Sequence, residues 1–160
     1  CAGWTPLYDA IGRGVGVLDD ALADDKKTGK KKTGGKAVLV IMTDGMENCS
    51  REFNQARIKQ LLTDREKDGW MVIFLGEGLD VANQGLNIGT TLGSTASYTA
   101  AGLRASGGVL GQSIADYAAT QSFSEQVAVA STGLSAKQRA TLQTGGTAEK
   151  IKRMPRTRAR

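Results

Sequence analysis

Asp44 is the side chain in this 160-residue chain whose setting first invites chemistry. It follows Ala37–Met42, an apolar, β-branched run too short for a buried helix, bounded by Gly34-Gly35 before and Asp44-Gly45 after. Such a run reads as a strand buried on both faces, as in a parallel sheet with helices on each side. Polarity then flips at once, through Thr43, Asp44, Gly45, Glu47 and Asn48. In open α/β sheets ligands sit beyond the carboxyl ends of the strands. A carboxylate on a tight Gly turn at that point is placed to hold a metal or a reacting group. It is equally placed to cap the next helix and make a turn, and the residues alone leave the two readings level.

Other chemistries are narrowed by what the chain lacks. There is no His, so Ser-His and Cys-His catalysis are excluded, and Cys49 reads as an inert small residue with nothing to activate it. An Asp-based phosphoacceptor needs a second carboxylate beside the first and a Lys at a later strand end. Glu77 and Asp80 follow the second apolar run, but no acidic pair stands beside Asp44. Gly76-Glu77-Gly78 fails as a dinucleotide loop, because the third Gly position is Val81. Phosphoryl transfer therefore remains only as the enzymatic alternative to a binding module.

The elements that must position these groups follow from periodicity. Thr5-Pro6 reads as a helix start, with Thr5 as the cap and Leu7, Ile11, Val15 (or Gly14), Leu18 and Leu22 as the apolar stripe through about Ala23. Gly12, Gly14 and Gly16 weaken that helix unless it packs closely on a neighbour. Residues 24–35, DDKKTGKKKTGG, read as a mobile loop. Ser50 is expected to cap a helix running to about Asp68, with Ala56, Ile58, Leu61 and Leu62 buried. Trp70–Leu75 reads as a second buried strand, parallel to the first through a right-handed crossover. A short helix over Leu79–Leu86, an edge strand at Ser94–Tyr98 and a closing helix over Ala101–Thr120 complete the body. That last helix is expected to bury Leu103, Gly107, Leu110, Ile114 and Tyr117. Residues 123–144 read as a weakly structured extension with a helical turn at Ala136–Leu142, and 145–160 as a disordered basic tail.

The net charge of +5 is local. Six lysines fall within Lys26–Lys36 and six basic residues within Lys150–Arg160, while the rest of the chain carries an acidic excess. Solvated charge runs explain this best; nucleic-acid contact through the loop and tail is the alternative. Two cysteines give no disulfide framework, which favours a reducing, cytoplasmic setting. No apolar run is long enough for a membrane span. A chain opening on Cys1 could be a fragment, a processed product or a mature lipoprotein.

Taken together, Thr5-Pro6-Leu7-Tyr8-Asp9-Ala10-Ile11 and Val40-Ile41-Met42-Thr43-Asp44-Gly45-Met46-Glu47-Asn48 resemble the second and third pieces of the metal-ion-dependent adhesion site of von Willebrand factor type A (vWA) domains. The resemblance spans roughly Thr5–Tyr117. It implies an α/β fold, a Rossmann-like open sheet of mostly parallel strands flanked by helices. It also implies a site in which Thr5 and Asp44 hold Mg²⁺ (or Mn²⁺ or Ca²⁺), and a function of binding an acidic group on a partner protein through that ion. Glu47 and Asn48 read as capping or loop groups. The family's first piece, Asp-x-Ser-x-Ser, occurs nowhere in the chain. By resemblance, residues 1–122 are the C-terminal two-thirds of such a domain, cut before or just at the second motif so that the family's first strand is missing, and metal binding is weak or absent.

Overall fold

The computed structural model describes residues 4–27, 36–78 and 80–145. Three parallel strands form an open sheet in the order β1 (Val38–Thr43), β2 (Met71–Glu77), β3 (Thr95–Tyr98). Helices α1 (Leu7–Lys27), α2 (Gln55–Lys67) and α3 (Val81–Asn87) connect into and between the strands. After β3 come α4 (Ala100–Ala118), α5 (Phe123–Thr132) and α6 (Ala136–Thr144).

Alternation along the strands feeds two cores, because successive side chains leave opposite faces of a sheet. Val72 and Phe74 of β2 join Leu7, Ile11, Val15, Ile41, Ile58, Leu62, Val81 and Ile88 on the side of α1, α2 and α3. Met71, Ile73 and Leu75 join Tyr98, Val109, Tyr117, Ala130, Leu134 and Leu142 on the side of α4, α5 and α6. The expectation of a strand buried on both faces holds for β2, all of whose apolar residues are buried. It does not hold for β1, where Val38, Leu39 and Val40 are half-buried and Met42 is exposed. The reason is position: β2 is central, whereas among the described residues β1 is an edge with a neighbour on one side only.

Helix boundaries depart from expectation where polar side chains decide them. The helix after β1 begins at Gln55, capped by Asn54, whose side chain accepts the Arg57 N–H at 2.9 Å; Ser50 does not cap it. Its end is sharp. Gly69 takes φ 87°, and the N–H groups of Gly69 and Trp70 return to the carbonyls of Glu66 and Arg65, which closes the last turn as a Schellman motif. The Tyr117 hydroxyl and the Gln126 amide both donate to the Gly69 carbonyl, at 2.7 and 3.0 Å, tying α4 and α5 to that corner.

On α4 the buried stripe is Gly102, Ser106, Val109, Ser113 and Tyr117, while Leu103, Gly107 and Ile114 are exposed and Leu110 is only part-buried. Of the expected set only Tyr117 is in the core. Close approach explains the shift: a Cβ on Gly102 would overlap the Leu142 carbonyl of α6, so small residues occupy the contact face. Residues 123–144 are not a weakly structured extension but α5 and α6. Each starts with a capping box, Ser122 with Glu125 and Ser135 with Gln138. Ala130 and Leu142 of these helices, and Leu134 between them, are core residues. The Lys-rich stretch 24–35 begins as helix, since α1 continues to Lys27; residues 28–35 lie outside the described residues, as do Cys1 and the basic tail from 146 onward. No helix among the described residues is long and apolar enough to cross a membrane.

Candidate functional site at the carboxyl end of β1

The segment between β1 and α2 is held by two carboxylates that reach the first turn of α1. Glu47 Oε2 accepts the Tyr8 N–H at 2.8 Å and the Ser50 hydroxyl at 2.6 Å; Oε1 accepts the N–H groups of Cys49 and Ser50 at 2.9 and 2.7 Å. Burial alone would push the Glu47 carboxyl up. The hydrogen bonds, led by those from Ser50, outweigh it and leave the group below its ordinary value. In the opposite direction, Asp9 of α1 accepts the N–H groups of Arg51, Glu52 and Phe53 at 2.9 to 3.0 Å. Those bonds, Arg51's foremost, hold Asp9 below the usual carboxylate range. The Ser50 hydroxyl receives the Asp9 N–H at 3.1 Å, and Arg13 pairs with Glu52.

This network corrects the expected role of Thr5. The first orphan N–H groups of α1 are satisfied across the chain by Glu47 and Ser50, as a helix N-terminus favours, and the first helical bond runs from Ala10 N–H to the Pro6 carbonyl. Thr5 lies one residue further out. Its backbone pairs with Asn48 in both directions: Thr5 N–H to Asn48 Oδ1 at 2.8 Å, and Asn48 N–H to the Thr5 carbonyl at 3.2 Å. Glu47 and Asn48 are thus capping and loop groups, as their types suggest.

The pairing brings Thr5 over the turn that carries Asp44. A methyl added at Gly45 would stand 2.9 Å from the Thr5 hydroxyl oxygen, so this hydroxyl lies directly over the Asp44-Gly45 turn. Thr43 makes that turn: its hydroxyl donates to the Gly45 carbonyl at 2.8 Å and accepts the Gly45 N–H at 3.2 Å. Asp44 is exposed, takes no part in the loop network, and caps no helix, since Asn54 has that role.

Two further groups border the site. Parallel register places Thr43 beside Gly76, and Glu77 beside Tyr98. The buried Tyr98 hydroxyl donates to the Thr43 carbonyl at 3.4 Å. Burial raises its ionisation above the ordinary phenol value, and the charges of Glu77 and then Asp44 raise it further. Tyr98 carries no motif; only its place at a strand's carboxyl end, beside Glu77, could have singled it out. Asp80 faces away from this role, accepting from Asn83 at 2.6 Å. Among the described residues no three or more His, Cys, Asp or Glu side chains gather as a metal cluster. The arrangement therefore offers one hydroxyl above an exposed turn that carries one carboxylate.

Comparison with protein-family models, with curated proteins and with solved structures finds no match to this chain.

Proposed function

We propose that the chain is a metal-ion-dependent protein-binding module of the vWA kind, which takes a divalent ion at the carboxyl end of β1 and through it an acidic group of a partner protein. The observation that carries this reading is the Thr5 hydroxyl lying over the Asp44-Gly45 turn, held there by the reciprocal bonds between Thr5 and Asn48. Mg²⁺ wants about six oxygens in near-octahedral array. Thr5 and Asp44 fit as part of such a set, so water and groups from elsewhere would supply the remainder, and affinity in this chain is low. Mn²⁺ or Ca²⁺ would use the same two oxygens.

Calorimetric titration of the chain with Mn²⁺ and Mg²⁺ tests the reading. Asp44→Ala and Thr5→Val, with unchanged circular dichroism, are expected to abolish a weak binding isotherm. Binding of equal strength in both variants would remove these residues from the site.

A further inference from the structure

Among the described residues β1 has an unpaired edge, and its register defines which backbone groups that edge presents. The Met71 N–H donates to the Ala37 carbonyl at 3.0 Å. In a parallel ladder, bonding groups alternate along each strand. Residues 37, 39, 41 and 43 therefore bond to β2, and the N–H and C=O groups of Val38, Val40 and Met42 point outward. An apolar edge of this kind is a template for another strand.

We propose that the occupant is a second copy of this chain, its β1 running antiparallel to the first about a two-fold axis at Val40, so that two sheets become one. Three independent features fit that register. The first is charge: with Val40 opposite Val40, Lys36 of one protomer lies opposite Asp44 of its partner, twice over. Lys36 spends two of its three ammonium N–H groups on the Ala118 and Thr120 carbonyls, at 2.8 and 2.6 Å, and Asp44 is exposed. The second is shape. Val38 falls opposite the partner's Met42, which is 42% exposed. Val38 lines a cavity of about 690 Å³ with Ile114, Tyr117, Phe123 and Gln126. Met42 has the parity of Val38 and Val40, both of which face the side of that cavity, so the partner's Met42 enters it.

The third feature is the flank of α1. Gly12 packs on the Phe53 ring and Asp19 binds Arg65 of α2 at 2.8 Å, which fixes the side of α1 turned to α2. At 3.6 residues per turn, Ala10, Gly14, Val17 and Ala21 form the opposite flank. It is small and apolar, with Val17 69% exposed, and Gly14 sits over Leu39, next to the proposed axis. A flank of this kind lets α1 approach α1 of the partner without a clash. The inference shares Asp44 with the metal reading but requires no metal, and it is tested without one.

The experiment is sedimentation equilibrium of the chain in chelator, with a reversible monomer–dimer equilibrium expected. Val40→Pro removes an outward N–H without removing a bond to β2, and is expected to weaken the dimer at least about tenfold. Lys36→Asp and Asp44→Lys should each weaken it, and the double exchange should restore it. The charge exchange decides the matter if Val40→Pro does not fold. A monomer at every soluble concentration would overturn the proposal and leave the edge to a strand from another polypeptide segment. A dimer indifferent to both Val40→Pro and the charge exchange would overturn it as well, by placing the interface elsewhere.

Discussion

Glu47 and Asp9 are drawn below their ordinary values chiefly because each ionised carboxylate collects backbone N–H groups. Their contribution to stability is therefore present above the unfolded-state values and is lost as pH falls through the folded ones. Glu47→Gln is expected to cost about 1 kcal/mol at neutral pH, the scale of partly exposed charged hydrogen bonds, and to flatten the acid limb of a urea-midpoint-versus-pH curve. An unchanged acid limb would show that these bonds do not hold the loop. Glu66 has the opposite sign. Burial raises its carboxyl to about 7, so ionisation is what costs. Stability is fullest below its ordinary value of 4.5 and declines as pH rises through about 7. Glu66→Gln should raise the urea midpoint above pH 7 and leave it unchanged in acid; equal effects at both ends would contradict the assignment.

At the scale of elements, α4 contains glycines with opposite consequences. Gly107 and Gly111 have open space where a Cβ would be. Alanine at each should stabilise the chain by about 0.5–1 kcal/mol. Gly102→Ala, against the Leu142 carbonyl, should destabilise it by about 1–3 kcal/mol. Chemical unfolding of the three variants reads both signs. The same helix shows where sequence reading succeeds and where it stops. Runs such as Trp70–Leu75 announce a buried strand because hydrophobicity and burial coincide there, and the parallel β1–β2 pairing follows from the helix between them. On α4 they part company. Gly102, Ser106 and Ser113 are buried for their small size, which a hydrophobic stripe cannot reveal. The loop after β1 was legible as polar and turn-forming. That Glu47 and Ser50 would cap α1 from about 40 residues away depends on tertiary proximity, which local caps such as Thr5 or Ser50 do not encode. Asp44 at the end of a buried strand was visible from pattern; Tyr98 beneath it was not.

At the scale of the molecule, one three-stranded sheet organises both proposals, since Asp44 ends the strand whose far side is an open edge. A cation at Asp44 and Lys36 of a partner protomer would compete for one carboxylate. By linkage, Mg²⁺ should then weaken the dimer; a dimer insensitive to Mg²⁺ in a chain that binds it would separate the two sites. The most direct measurement is of where a metal sits. In a ¹⁵N-labelled chain, substoichiometric Mn²⁺ should broaden the amide resonances of Thr5, Asp44 and Gly45 first, and Asp44→Ala should abolish that broadening. Broadening centred on other carboxylates, such as Asp64 and Asp68 at the end of α2, or broadening at Gly45 that survives Asp44→Ala, would contradict a metal site at the end of β1.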